Sequence, residues 1–229
     1  MPLLLITGVS RGIGNAIAQR YEAEGFTIVG CASSAQSLQN VNTDHPSWHM
    51  TQVDVGDKAA LKLWAANVIE DNGVPDVLVN NAGKFIPGAI HEEQDSVYED
   101  TLRVNLDSAY YLSKAIIPGM KTRGSGLIIN ICSTASITAY PNGGTYAISK
   151  HAMLGLGRCL REELKPHNVS VVNLLPGPVY TSSWAGVDLP EERFMDVEHI
   201  AEIAWQANAL APRTVLEDVV LRPQLGDIN

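Results

Sequence analysis

The stretch LLLITGVSRGIGNAIAQRYEAEG, Leu3–Gly25, decides the fold. Four consecutive aliphatic residues, Leu3 to Ile6, are too short for a signal-peptide core or a membrane span and read as a buried strand. Gly8, Gly12 and Gly14 follow at the spacing G-x-x-x-G-x-G, and then Ile13, Ala16 and Ile17 fall on one helical stripe that Gly25 ends. Strand, glycine turn and helix in that order aim backbone N–H groups and a helix N-terminus at one point. That arrangement suits a pyrophosphate, and glycine keeps Cβ atoms out of its way. The turn by itself also fits an ordinary βα connection, and the lack of Gly-Lys-Ser/Thr sets it apart from a P-loop.

Outward from this unit the same alternation continues. Aliphatic runs predict strands at Leu3–Thr7, Thr27–Cys31, His49–Val53, Val77–Asn80, Leu127–Cys132, Val169–Leu175 and Val215–Leu221. Helical stretches fall near 12–24, 57–71, 98–121, 145–165 and 197–210. Runs such as DVLVN and LIINI are apolar on both faces, as strands of a covered parallel sheet require. Right-handed crossovers then give an α/β, doubly wound, seven-stranded parallel sheet in a single domain spanning 1–229.

With 45% hydrophobic and 18% charged residues the composition is globular. A formal charge of −9 with scattered basic residues argues against nucleic acid as a partner, and the lack of a long apolar run argues against a membrane. Cys31, Cys132 and Cys159 have no C-x-x-C spacing and are expected to be reduced thiols of a cytoplasmic protein. The six histidines lack metal spacing, so no metal is expected.

Further motifs follow in chain order. NNAG (Asn80 to Gly83) comes after the fourth strand, Asn105 in the next helix, and NICS closes the fifth strand at Ser133. YAISK supplies Tyr146 and Lys150, thirteen residues after Ser133, and PGPVYT (Pro176 to Thr181) follows the sixth strand. A Tyr–Lys pair at i, i+4 is by itself most often a solvated helix face. Together with TGVSRGIG, however, the set resembles the short-chain dehydrogenases/reductases over essentially the whole chain.

The resemblance implies a Rossmann-type fold with a cofactor half near 1–125 and a catalytic half near 126–229. It implies a nicotinamide dinucleotide held by Gly8, Ser10, Arg11, Gly12, Ile13 and Gly14 in the glycine turn. Asp54 and the Val55 backbone would meet adenine, Asn81, Ala82 and Gly83 the adenosine ribose, and Pro176, Gly177, Val179 and Thr181 the carboxamide. For Asp54 alone, a helix N-cap is a rival reading. The end of the second strand, GCASSAQ, has Ala32 where NAD enzymes carry an acid. Arg11, Ser33 and Ser34 would instead meet a 2′-phosphate, so NADP(H) is the expected cofactor, with NAD(H) as the alternative.

In the family's pattern Tyr146 is the general acid or base and Ser133 holds the substrate oxygen. Lys150 would hold the nicotinamide ribose and lower the tyrosine pKa, and Asn105 would hold a relay water. A free phenol with pKa about 10 needs roughly 3–4 kcal/mol of phenolate stabilisation to work near neutrality, and an ammonium about 4 Å away supplies that order. The chemistry expected is interconversion of a carbonyl and an alcohol. Candidate substrates are 3-oxoacyl thioesters, small carbonyls and, from PRTVLEDVVLRPQLGDIN at the chain's end, a pterin side-chain ketone as in sepiapterin-reductase-like members. A cofactor-sensing regulator and an epimerase or dehydratase are the rival functions. Trp184, Phe194 and Met195 could line a short substrate lid or pin it to the core, and Phe85 and Ile86 could do either. Gly155 and Gly157 in the tyrosine helix suggest close helix approach, with a homodimer or homotetramer expected.

Overall fold

A computed structural model of the protein describes residues 1–181 and 189–228. Strand β1 (Leu3–Thr7) lies at the centre with all five residues buried, because every side chain is apolar or small and can face a helix on either side. The remaining strands are β2 (Thr27–Ala32), β3 (His49–Gln52), β4 (Val77–Asn80), β5 (Gly126–Ile131), β6 (Val169–Pro176) and β7 (Asp218–Leu221). They form one sheet in the order β3-β2-β1-β4-β5-β6-β7, and every neighbouring pair is parallel. The order reverses at β1, which opens a crevice between the C-terminal ends of β1 and β4.

The helices are α1 (Gly12–Glu22), α2 (Ala35–Asp44), α3 (Lys58–Asn72), α4 (Asp95–Leu102), α5 (Ser108–Arg123), α6 (Gly144–Leu164) and α7 (Val197–Leu210). Alternate strand residues feed two cores. Leu4, Ile6, Val77 and Val79 pack with Ile17, Ala18 and Tyr21 of α1 and Ile200 and Ala204 of α7. Leu5, Leu78, Ile128 and Val171 pack with Leu61 and Trp64 of α3 and Leu112 and Ile116 of α5.

Three sequence expectations are corrected. Helix α2 lacks a wide apolar stripe, since only Leu38 and Val41 are buried, and so periodicity does not reveal it. The expected helix 98–121 is two helices joined by a π-helical turn, Arg103–Asp107, with Asn105 buried inside it. Strand β7 begins at Asp218 rather than Val215.

Candidate active site

The glycine turn is anchored at both sides. Gly8 N–H and Val9 N–H donate to Cys31 O of β2 at 2.9 and 3.2 Å, which sets the turn beside Ala32–Ser34. From β4, the Asn81 amide donates to Thr7 O and Gly8 O at 2.9 and 3.0 Å. Thr7 Oγ1 accepts from Asn81 N–H and Ala82 N–H at 3.1 and 3.0 Å. A Cβ on Gly14 would lie 2.4 Å from both Asn81 Nδ2 and Gly8 O, and Gly8 has φ +68°. Both glycines are therefore demanded by the clamp itself.

Helix α1 starts from Arg11 with no side-chain cap and no acid in its first turn, so its first N–H groups keep their donor capacity. Arg11 is exposed, and no ion-pair partner for it exists among the described residues. Ser33 and Ser34 are also exposed, and Ser34 Oγ accepts Ser37 N–H at 3.3 Å as the N-cap of α2. Ser34 thus has a structural task, although its hydroxyl proton stays available to an acceptor. Asp54 does not cap α3. Asp57 does, accepting from Ala59 N–H and Ala60 N–H at 2.8 and 3.1 Å, while exposed Asp54 accepts, among the described residues, only Gly56 N–H.

The PGPVYT segment closes over the same crevice. Gly177 N–H donates to Leu221 O at 2.8 Å, Val179 is buried, and Thr181 Cγ2 lies 3.3 Å from where a Cβ on Gly12 would stand.

Ser133, Tyr146 and Lys150 meet at the end of β5. Tyr146 and Ser133 share a side-chain hydrogen bond. Ser133 Oγ also accepts Ala135 N–H at 3.1 Å, which fixes the hydroxyl at the start of a short 3₁₀ turn, Thr134–Ser136. Lys150 is only 4% exposed, and its ammonium donates to Ile131 O at 2.8 Å and sits 5.7 Å from the Tyr146 ring centroid. That carbonyl is its one protein acceptor among the described residues, which leaves two donors of a buried cation to be satisfied. A pair of vicinal hydroxyls suits such a donor set, and a Cβ on Gly83 would come 3.6 Å from Nζ, so the ammonium is open towards the NNAG turn.

The Asn105 side chain is held by three hydrogen bonds. Asn105 Oδ1 accepts Lys84 N–H at 2.8 Å, and its Nδ2 donates to Lys84 O and to Ser149 Oγ, both at 3.0 Å. Ser149 in turn donates to Tyr146 O at 2.7 Å. The side chain therefore ties the β4 turn to α6. Ser149 was not legible as a site residue, because a serine three positions after Tyr146 carries no signal without Asn105 beside it.

Charge balance also departs from the simple picture. Burial pushes the Tyr146 phenol above its ordinary pKa, with the Ser133 hydrogen bond pulling it back. Burial likewise lowers the Lys150 ammonium. The neighbouring Cys132 thiol is pushed up to about 11 by burial, against the pull of Lys150. In the free chain, burial, the Ser133 hydrogen bond and the Cys132 thiol act on the phenol.

The sequence model described as short chain dehydrogenase matches residues 2–191. A sepiapterin reductase of Chlorobaculum tepidum is 31% identical over 99% of this chain and 98% of its own length. The chain belongs to the short-chain dehydrogenase family. It is an oxidoreductase with an NAD(P)-binding Rossmann fold, acting between carbonyl and alcohol. A 3-oxoacyl-[acyl-carrier-protein] reductase of Haemophilus influenzae is 31% identical over 78% of this chain and 74% of its own. Among solved structures, an alcohol dehydrogenase of Thermococcus sibiricus complexed with 5-hydroxy-NADP superposes with TM-score 0.89 at 27% identity, covering 100% of this chain and 99% of that one.

Apolar side chains are exposed near Tyr146. Phe85 is 50% exposed and meets the Tyr146 ring edge-on at 5.1 Å. Ile86, Ile137 and Tyr140 are also exposed. Phe194 and Met195 are buried, the latter pairing with Pro178 and Tyr180 through its backbone, so they pin the segment to the core. Trp184 lies outside the described residues. Among the described residues no helix is long and apolar enough to cross a membrane, and no group of three or more His, Cys, Asp or Glu is placed to hold a metal.

Proposed function

We propose that this chain is an NADP(H)-dependent reductase of an uncharged carbonyl flanked by an apolar or aromatic group. The observation that carries the reading is the cluster of Ser133, Tyr146 and buried Lys150 at the end of β5, facing the glycine turn across the crevice. Helix α1 and the Gly8–Gly14 turn would take the pyrophosphate, and Lys150 the nicotinamide ribose hydroxyls. Asp54, with the Val55 backbone beside it, would hold adenine, now that Asp57 accounts for the helix cap. The first half of the chain, to about residue 125, would thus bind and the second half react.

Preference for NADP(H) rests on Ala32 in place of an acid and on exposed Arg11, Ser33 and Ser34. It agrees with a metagenomic short-chain oxidoreductase solved with NADP, 28% identical over 97% of both chains with TM-score 0.84.

When bound, the cofactor supplies or accepts the hydride. Ser133 would hold the substrate oxygen beside the phenol, and Tyr146 would give its proton to that oxygen in reduction. The phenol carries its proton at neutral pH, as a donor must, and its hydrogen bond to Ser133 works against the burial that weakens it as an acid. The apolar rim of Phe85, Ile86, Ile137 and Tyr140 favours a hydrophobic neighbour to the carbonyl, and Lys84, the nearest rim cation in sequence, is already 3.5 Å from Asp100.

The test is loss of reduced-nicotinamide absorbance over an aryl diketone, an acetoacetyl thioester, a small aldehyde and sepiapterin, with NADPH and NADH in parallel. Turnover fastest with the aryl diketone or sepiapterin, and at least ~10-fold better with NADPH, is expected, as one bidentate phosphate contact is worth roughly that. Tyr146→Phe should lose about a hundredfold or more in kcat. Retained turnover in that variant overturns the role of Tyr146, and equal efficiency with NADH overturns the cofactor preference.

A further inference from the structure

On the sheet face covered by α5 and α6, one row of residues below the C-terminal edge is polar. Asn80, Asn130, Asn173 and Asp218 are register partners across β4, β5, β6 and β7. Asn80 Nδ2 donates to Asn130 Oδ1 at 2.9 Å, Asn130 Nδ2 to Asn173 Oδ1 at 2.9 Å, and Asn173 Nδ2 to Asp218 Oδ1 at 2.8 Å. The row also reaches both helices: Asn80 Nδ2 donates to Ser113 Oγ of α5 at 3.0 Å, and Arg158 of α6 donates to Asp218 Oδ2 at 2.9 Å. Within the row the three donations run one way and end on a carboxylate, which polarises the chain behind it. Apolar residues lie on either side: Leu78, Ile128 and Val171 below, and Cys132 and Leu175 with Met153 and Leu154 above.

A parallel sheet needs no such row for its own pairing, and burying three amides is unfavourable unless their hydrogen bonds are met. What sits on the row is α6. A Cβ on Gly157 would lie 1.9 Å from Asn173 Oδ1 and 2.8 Å from Asn130 Nδ2. Gly157 follows Tyr146 by eleven residues and Lys150 by seven, so all three lie on one helical stripe. The helix touches the row through a residue with no side chain, and its next residue, Arg158, grips the row's charged end.

We propose that Gly157 and the Asn130–Asn173–Asp218 row form the seat of α6, positioning residues that set the height of Tyr146 and Lys150 over the end of β5. The inference rests on the reading of that pair given above. An apolar side chain at position 173 could turn aside for a larger neighbour. Asn173 cannot, because moving its amide strands Asn130 Nδ2 and Asp218 Oδ1 together. The helix must lift instead, and a displacement near 1 Å costs on the order of a hundredfold in rate where reacting groups must align.

The test compares wild type, Gly157→Ala, Asn173→Ala and the double variant, with Tyr146→Phe as control. Measured are the thermal midpoint of the cofactor-free protein, NADPH affinity by fluorescence, and the pH profile of kcat with the aryl diketone. Gly157→Ala should weaken NADPH binding through Lys150, lower kcat about tenfold to a hundredfold and move the pH midpoint. Adding Asn173→Ala removes the 1.9 Å clash and frees Asn130 Nδ2 from its acceptor so that it can give by a few tenths of an ångström, and the double variant should recover part of each loss. Additive losses, or a lower thermal midpoint with unchanged NADPH affinity and pH profile, overturn the seat. If Gly157→Ala alone does not fold, a double variant that folds and binds NADPH supports it, and one that does not fold overturns it. Full turnover by Tyr146→Phe would remove the functional reading and the seat with it. Loss there beside an unaltered Gly157→Ala removes the seat alone.

Discussion

Tyr146 is controlled by two opposed effects, burial against its hydrogen bond to Ser133, and burial prevails. A folded-state pKa above the unfolded value of about 10 means that the folded protein holds this proton more tightly. The stabilisation is complete below pH 10 or so and is lost as pH rises through the folded value. Stability measured by denaturant titration should therefore fall across the alkaline range more steeply in wild type than in Tyr146→Phe. The phenolate absorbance step lost in that variant should lie on the alkaline side of an ordinary tyrosine. A step on the acidic side would mean that Lys150 outweighs burial even in the free protein. The convergence of Ser133, Tyr146 and Lys150 on the end of β5 was legible only through the resemblance to the family, since spacing alone gives the Tyr–Lys pair as a solvated helix face. The direction of the tyrosine's shift was not, because desolvation depends on packing that no spacing records.

Elements read most clearly where burial is two-sided. The strands β1, β4, β5 and β6 announce themselves because both faces must be apolar, whereas α2 has an outward face over most of its length and hides among its polar residues. Element ends separate cap from site as well. Asp54 and Asp57 both precede α3, yet only Asp57 holds the free N–H groups of the first turn. Asp57→Ala should destabilise the protein by about 1 kcal/mol, a midpoint shift of roughly 2–4 °C at this size, with NADPH affinity unchanged. Asp54→Ala should do the reverse, weakening NADPH binding while its thermal midpoint holds. Equal thermal losses in the two variants would return Asp54 to a structural role. The π-helical turn around Asn105 belongs to the same lesson. Its sequence, RVNLD, continues a helix without any breaker, and only the contacts of Asn105 with Lys84 and Ser149 show why an extra residue is accommodated there.

For the whole molecule, Gly155 and Gly157 of α6 turn out to face opposite ways. Gly157 is pressed onto the sheet, while a Cβ on Gly155 would meet nothing within 4 Å. Gly155 shares its outward stripe with Ile148, Ala152 and Cys159, and Ile148 and Tyr110 of α5 are both exposed apolar side chains. A glycine that weakens a helix by about 1 kcal/mol with no contact inside the chain makes sense where another backbone comes close. We expect the outward face of α5 and α6 to meet its equivalent in a second copy, as a two-fold contact in a homodimer or within a homotetramer. Light scattering at micromolar concentration should give a mass of two or four chains, and Gly155→Arg should shift it towards one while sparing the fold. The thiols report on the same face: Cys31 and Cys132 are buried and should stay unreactive in the native protein, whereas Cys159 is exposed in the single chain. Cys159 should therefore label quickly in Gly155→Arg and slowly in the assembled wild type. A monomeric wild type, or equal labelling of Cys159 in both proteins, would place the contact elsewhere and leave Gly155 without a packing reason.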